Sequence, residues 1–546
     1  MKKRKKVIVT ILSILYSTFL IIGNSFIKTN SFKYIEKNIF LNIVTYFIYI
    51  MIFYYLINIV FNLIDNKKIK IPKMKRIKKI HLYELFNKNT FLFSLIFMII
   101  CWLPYIISFY PVILSPDPSF QIRQYFKIPN KYSTYSIMID PNVTITNHHP
   151  VVHTLLLGTC VKFGTIINNV NIGLFIYSII QILILSSTLA YTIKFLKEEN
   201  IRHIYLFMML LVYSLVPVFP FYSMSAVKDV IFGSFIIIYI IRLYKLIKDT
   251  DIQVNDYLKT IVLMVLIILF RNNGIHTILL SFPLLLLIKK TCKFKLKILT
   301  IFLIIISFNF SYNSIILPYF KITPTSVREK LSIPFQQTAR YIKEHSEDVT
   351  EEEKQIIDKV LVYDTLGERY KREIADPVKN QFNKYTTKEE LNAYFKVWFN
   401  QLLKHPKTYV EATINNTYGY YYPLKNNWYI YYKFDSRITD DGFNYHYNNL
   451  ELSRNILSNY GSTYQFIPIL NIFVNIGINV WILIFMASYL FYRKKYNELI
   501  YLSPSFVLLL VCIASPVNTY FRYALPYVFA LMLNFGLFIK EVMIDE

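Results

Sequence analysis

Residues 110 to 153, YPVILSPDPSFQIRQYFKIPNKYSTYSIMIDPNVTITNHHPVVH, place Asp117 and three histidines between two apolar stretches. The histidines are His148, His149 and His153. Ionisable groups lose hydration at the edge of an apolar segment, so chains carry them there mainly when they form pairs or perform chemistry. A carboxylate can accept the proton of an attacking hydroxyl, and a histidine can bind a substrate or a metal ion. We therefore predict that this loop contains a functional site.

Three further polar clusters stand at the ends of apolar runs. They are Lys228 and Asp229 in AVKDVIFG, Arg271 and Asn272 in FRNNGI, and Arg522 in YFRYALP. Arginine is suited to bidentate phosphate contacts, so these clusters could hold a phosphate group. Two alternatives remain open at this point. Lys228 and Asp229 could simply pair with each other at a helix start, and Arg271 could extend to lipid phosphates.

A metal site is a further possibility within the loop. His149 and His153 are four residues apart, the spacing that brings two ligands onto one helix face, but the helical glutamate of H-E-x-x-H is missing. Asp117 lies between two prolines, which is also typical of a turn. A divalent cation such as Mg²⁺ or Mn²⁺ would need Asp117, Asp229 and His149 to converge through folding.

Composition determines the class of protein. Of 546 residues, 54% are hydrophobic and 17% are charged, and apolar runs of about 20 residues recur along the chain, as in multi-pass membrane proteins. The net charge of +26 does not indicate nucleic-acid binding. Between Tyr319 and Tyr460 there are 20 Lys and Arg against 19 Asp and Glu, so the positive excess lies in short loops and tails. That distribution is expected of cytoplasmic segments, and we predict no nucleic-acid partner.

The apolar runs predict an all-α polytopic membrane protein with about 12 transmembrane helices and both termini in the cytoplasm. Residues 1–89 form two spans and a basic cytoplasmic loop, and residues 90–318 form the membrane core with the loop 110–153 on the outer side. Residues 319–460 form a mainly helical extracytoplasmic domain between spans 9 and 10. Residues 461–546 complete the chain with three spans.

Local signals predict several element boundaries. Pro217 and Pro220 should break a span near its end, and RNNG at 271 to 274 should form the turn of a helical hairpin. Thr350 with Glu353 three residues later has the spacing of a capping box, which predicts a helix start.

The order of the loop motifs resembles the GT-C superfamily of integral-membrane glycosyltransferases. The similar features are the acid of SPDPSFQ, the following polar-proline-apolar segment HHPVVHTLLLG, and the span after it. The chain is still more similar to a bacterial branch near these transferases that is described as a domain of unknown function. Its recurring blocks resemble YPVILSPD, HHPVVHT, KDVIFG, FRNNGI, IPFQQTARYI, ADPVK and RYALP.

This resemblance implies that a sugar moves from a polyprenyl-phosphate carrier to a cell-envelope glycan, lipid or protein at the outer face of a bacterial cell membrane. Asp117 would be the base, or a ligand of a divalent cation, with Asp229 as the second acid. The residues expected to bind the donor phosphate or the substrate are Lys228, Arg271, Arg522, His148, His149, Gln121 and Asn272. The other partners implied are membrane lipids.

Two other classes of function remain open. A lipid-linked glycan flippase or another transporter would commonly carry inverted repeats and ionisable groups near the membrane midplane. Here the charges lie at the ends of the apolar runs, which favours a site on the outer face. A non-catalytic envelope scaffold would instead bind its partners through residues 319–460.

Overall fold

The computed structural model describes residues 2–66, 81–133, 143–425, 436–515 and 517–543. Most of the basic loop before residue 81, residues 134–142 of the loop 110–153, and residues 426–435 lie outside the described residues. Within the described ranges the chain is all-α, and its only β features are isolated bridges.

Among the described residues, seven helices are long and apolar enough to cross a membrane. Their bounds are Lys3–Thr29, Ile39–Asp65, Thr90–Ser108, Val170–Glu198, Lys228–Lys248, Cys292–Tyr319 and Phe521–Val542. Many apolar side chains on these helices face outward, such as Phe40, which is 80% exposed. Water cannot cover so large an apolar surface without a considerable free-energy cost, so this is the architecture of an all-α membrane protein.

Five shorter apolar helices lie between the long ones in the described part of the chain. Their bounds are Val151–Ile166, His203–Leu215, Gly274–Leu287, Ile476–Tyr492 and Leu499–Ile513. How many of them cross the membrane is not fixed by their length, so the count of 12 spans stays a prediction.

Two breaks predicted from the sequence are confirmed. The helix His203–Leu215 ends before Pro217, and the short helix Val218–Ser223 follows it. Arg271 to Asn273 form the turn between the helix Val254–Phe270 and the helix that begins at Gly274. The first break follows from proline, which lacks the N–H that a helix interior needs. The second break lies at Asn-Asn-Gly, residue types that favour turns.

Ion pairs connect helix termini at one end of the bundle. Lys5 Nζ lies 2.8 Å from Asp65 Oδ2, and Lys248 Nζ lies 2.8 Å from Glu541 Oε1. Lys5 begins the first helix and Asp65 ends the second, so these helices run antiparallel. Arg522, near the start of the last long helix, therefore lies at the opposite end of the bundle from Glu541.

A helical domain follows the helix that ends at Tyr319. Its helices are Ser332–Glu344, Glu351–Asp358, Leu366–Arg369, Asp376–Lys379, Lys388–Lys404 and Pro406–Thr417. It has a hydrophobic core of its own, which includes Phe335, Leu361 and Tyr394. The predicted capping box is confirmed, since Thr350 Oγ1 accepts from the Glu353 N–H at 3.1 Å.

The helical domain contacts the end of the bundle where the first helix finishes. Asn415 Nδ2 donates to the Asn30 carbonyl at 2.7 Å, and Arg340 Nη1 donates to the same carbonyl at 3.2 Å. Asn416 Nδ2 donates to the Ser515 carbonyl at 2.9 Å, which connects the domain to the turn before the last long helix. We call this side of the bundle the domain end.

Candidate functional site

Asp117 lies in the first turn of the short helix Pro116–Tyr125, at the domain end. Proline is well suited to the first helical position, and a carboxylate in the first turn interacts favourably with the helix dipole. The Oδ2 atom of Asp117 is 2.8 Å from Nη2 of Arg522, and the side chain of Asp117 remains 25% exposed. The acid of the loop is therefore paired with an arginine of the last long helix and is still accessible.

Asp229 lies between two arginines. Its Oδ1 atom accepts from Arg271, and its Oδ2 atom is 3.3 Å from Nε of Arg522. The side chain of Asp229 is 1% exposed and that of Arg271 is 8% exposed. Arg271 thus does not extend to the surface. Burying these charges is tolerable only because they compensate one another.

Lys228 does not pair with its neighbour Asp229 but turns to His149. Its ammonium group donates to Nδ1 of His149 at 3.0 Å. A ring nitrogen that accepts from an ammonium carries no proton, so the proton of this neutral imidazole is on Nε2. That Nε2 atom is buried without a hydrogen-bond partner. It is therefore an N–H donor that a ligand could use.

We call Asp117, Asp229, Arg271, Arg522 and Lys228 the charge cluster. Burial alone would raise the pKa of the Asp117 carboxyl, but Arg522 and Lys228 hold it well below its usual value. Burial and Lys228 lower the pKa of His149 well below its usual value, so this ring is neutral. Two carboxylates then face three cations, and the surplus positive charge suits an anionic ligand.

His148 connects the loop to the helical domain. Its ring stacks on Tyr132 with the centroids 3.9 Å apart, and its Nδ1 atom is 3.8 Å from Oε1 of Glu329. Glu329 is held in turn by Lys379, whose Nζ is 2.7 Å from Oε2. The sequence did not reveal Glu329, because REK before the domain carries no recognisable motif. Burial lowers the pKa of His148 to about 4, although Glu329 opposes this shift.

The His148 shift predicts how stability depends on pH. The unfolded chain protonates this ring near 6.5 and the folded chain near 4, so the unfolded state binds more protons in between and stability rises with pH. Acidification across this window should cost up to about 3 kcal/mol. His148→Phe preserves the stack and should flatten the dependence of the thermal unfolding midpoint on pH. The control His446→Phe removes an exposed histidine, and an equal flattening there would contradict the assignment.

Gln121 and His153 lie behind the charge cluster in a buried chain of hydrogen bonds. Gln121 contacts Nδ1 of His153 at 3.0 Å, and Nε2 of His153 is 2.7 Å from the hydroxyl of Tyr177. His149 turns to Lys228 instead, so the two histidines spaced four apart do not form a two-ligand face. Gln121 supports the loop here and makes no contact with the charge cluster among the described residues.

The same chain of hydrogen bonds fixes the turn that precedes Lys228. The Tyr177 hydroxyl donates to Oε1 of Gln181 at 2.9 Å. Nε2 of Gln181 then lies within hydrogen-bond distance of the carbonyl oxygens of Tyr222, Ser223 and Ser225, at 3.0, 3.0 and 2.7 Å. Gln181 therefore holds the turn from which Lys228 and Asp229 start their helix.

Asn272 positions the backbone just before the two histidines. Its Nδ2 atom donates to the Asn147 carbonyl at 2.5 Å, and Thr325 Oγ1 donates to the same carbonyl at 2.6 Å. The Asn147 N–H donates to the Thr323 carbonyl at 2.8 Å. Asn272 thus connects the turn after Phe270 to the loop and does not point into the charge cluster.

Asp117, Asp229 and His149 are not arranged as a set of metal ligands. Arg522 and Arg271 already occupy the carboxylates, so a divalent cation there would have to displace an arginine. Across the described part of the chain, three His, Cys, Asp or Glu side chains come together with ligand atoms within 4.8 Å of one another at a different place, His345, Asp348 and His405.

Comparison with known proteins identifies a family for nearly the whole chain. The model of a family described as a family of unknown function (DUF6020) matches residues 1–542. Neither the curated proteins nor the solved structures contain a match to the chain. The matched range includes the loop 110–153, the charge cluster and the helical domain.

Proposed function

We propose that this chain, which belongs to that family of unknown function, is an integral-membrane glycosyltransferase of the GT-C type. It moves a sugar from a polyprenyl-phosphate donor to a cell-envelope acceptor. In this proposal about 12 spans cross a bacterial cell membrane, both termini are cytoplasmic, and the domain end faces outward. One observation carries the proposal. The accessible carboxylate of Asp117 lies at the same end of the apolar helices as buried N–H groups that have no hydrogen-bond partner.

The donor phosphate has suitable partners in the charge cluster. Lys228 supplies an ammonium group, and His149 supplies the unpartnered Nε2–H beside it. Nε of Arg522 is also buried without a hydrogen bond, although Asp229 lies 3.3 Å away. Charge-assisted hydrogen bonds to phosphate oxygens are stronger than neutral ones. A phosphate at this position would satisfy groups that the protein leaves unsatisfied.

The chemistry follows from the Asp117–Arg522 pair. A hydroxyl oxygen of the acceptor attacks the anomeric carbon and forms the new glycosidic bond. The bond from that carbon to the phosphate oxygen breaks, and the phosphate keeps the electron pair. The hydroxyl proton passes to Asp117. In the absence of the donor, Arg522 lowers the pKa of the Asp117 carboxyl, which makes Asp117 a weak base. A donor phosphate that binds Arg522 draws this arginine away from Asp117. The pKa of the carboxyl then rises at the step in which the base is needed.

Transport of a lipid-linked sugar is the competing function, and one experiment separates the two. Purified protein in vesicles receives a donor lipid with a labelled sugar and an envelope extract as acceptor. We expect label to become covalently attached to the acceptor. Movement of intact donor lipid between leaflets without any transfer would contradict the enzyme and support a transporter.

Lys228→Gln tests the phosphate contact. Loss of one charged hydrogen bond costs about 1.5–3 kcal/mol, so kcat/KM for the donor should fall about 10- to 100-fold, mainly through KM. Lys194→Gln is the matched control, because Lys194 is 49% exposed in a surface pair with Glu198. An equal loss in both variants, or an unchanged donor KM in Lys228→Gln, would contradict the phosphate contact.

A further inference from the structure

We propose that His345, Asp348 and His405 bind a divalent transition-metal ion such as Zn²⁺, with one coordination position open to a neighbouring cavity. The ligand atoms of these side chains lie within 4.8 Å of one another. The group shares no residue with the charge cluster. The proposal therefore stands or falls independently of the glycosyltransferase function.

The backbone holds the three residues at adjoining helix ends. His345 follows the helix Ser332–Glu344, and Asp348 is in the short 3-10 turn that follows it. His405 stands between the helices Lys388–Lys404 and Pro406–Thr417. These helices pack against one another, so the three Cα positions are fixed and only side chains need to move.

Zinc with tetrahedral geometry requires ligand atoms about 3.3 Å apart, given metal–ligand distances of about 2.0–2.2 Å. Nε2 of His405 already lies 2.7 Å from Oδ2 of Asp348. The two imidazole rings stack with centroids 3.7 Å apart and an interplanar angle of 10°. Ring lone pairs lie in the ring plane, so metal binding must rotate one imidazole out of this stack.

A second layer of hydrogen bonds orients His345. Its Nε2 atom is 3.0 Å from Oγ1 of Thr408, and that hydroxyl is 3.3 Å from Oε2 of Glu344. Metal-binding histidines commonly fix their second nitrogen in this way, which leaves the first free to coordinate. His345 would thus bind through Nδ1 and His405 through Nε2.

Two imidazoles and one carboxylate favour zinc-class ions over Mg²⁺ or Ca²⁺, which prefer oxygen ligands. Two cations beside the group are paired with acids. Arg340 pairs with Glu411 and Glu344, and Lys404 Nζ lies 3.2 Å from Glu353 Oε1.

A cavity of about 790 Å³ adjoins the group, and both His345 and His405 line it. This is a typical volume for a small-molecule site. Three protein ligands leave zinc a fourth position for water or an incoming group. Because Lys33 and Lys343 also line the cavity, an anionic oxygen, such as a carboxylate or phosphate oxygen, is the ligand chemistry that this position would take.

The test uses the full-length protein in detergent after chelator treatment, with Zn²⁺ or Co²⁺ alone as the probe. Calorimetry should give one Zn²⁺ per chain, and bound Co²⁺ should show the absorption bands of a four-coordinate ion. Asp348→Asn and His405→Phe should each abolish this binding, and Thr408→Val should weaken it about 10- to 100-fold. His446→Phe removes a histidine outside the group and should bind like the wild type.

The thermal unfolding midpoint of each variant is measured in parallel, so that a folding defect is recognised. Asp348 is 46% exposed, and its replacement by Asn keeps the shape of the side chain, which makes that variant the most informative. Absence of Zn²⁺ binding to the wild type would overturn the proposal. Equal Zn²⁺ affinity in wild type, Asp348→Asn and His405→Phe would overturn it as well.

Discussion

Asp117→Asn is expected to lower the rate of sugar transfer by about 10²- to 10⁴-fold, the usual contribution of a general base. The amide preserves the shape of the side chain but cannot accept the acceptor proton. The loss should appear in kcat, since the donor phosphate is held by Lys228 and Arg522 rather than by Asp117. Initial rates with labelled donor at several donor concentrations measure both parameters.

Asp441→Asn is the matched control for this loss. Asp441 Oδ2 is 2.8 Å from Nε of Arg123, so the same substitution removes a carboxylate that is paired with an arginine. Transfer should stay near the wild-type rate in this variant. If Asp117→Asn keeps the wild-type kcat with intact folding, Asp117 is not the base.

The features that could be predicted from sequence are those with local causes. The helix His203–Leu215 ends before Pro217 because of the proline ring, and Thr350 starts a helix because its hydroxyl caps the N–H of Glu353. The apolar runs likewise reveal the long helices, because a span needs about 20 such residues. None of these predictions depends on contacts between distant parts of the chain.

The contacts within the charge cluster could not be predicted, because they join residues far apart in sequence. Nothing near Lys228 indicates that it turns to His149 and leaves Asp229 between two arginines. The four-residue spacing predicted that His149 and His153 share one helix face. In the structure, His149 precedes the helix that begins at Val151.

The group formed by His345, Asp348 and His405 was missed for a related reason. His405 is about 60 residues from the other two, and only the packing of two helices brings it to them. His405 directly before Pro406, a residue pair typical of a break between helices, was the signal that could have indicated it.

The second large effect concerns Asp229, which the sequence suggested as a second catalytic acid. At 1% exposure, between Arg271 and Arg522, it has no open side for substrate. We therefore propose that it positions Arg522. Asp229→Asn removes the carboxylate that compensates the positive charges of the buried Arg271 and Arg522. Removing one partner of a buried ion pair costs about 3–5 kcal/mol of stability. The thermal unfolding midpoint in detergent should fall sharply.

A second substitution distinguishes a loss of stability through charge imbalance from the loss of a catalytic group. In Asp229→Asn with Arg271→Met, both members of one buried pair become uncharged, so most of the lost stability should return. Transfer should then recover in part, because Asp117 and Arg522 are both retained. Asp256→Asn, which removes the 37% exposed partner of Arg242, should cost no more than about 1 kcal/mol. A double variant that regains stability but no transfer would instead make Asp229 or Arg271 part of the reaction.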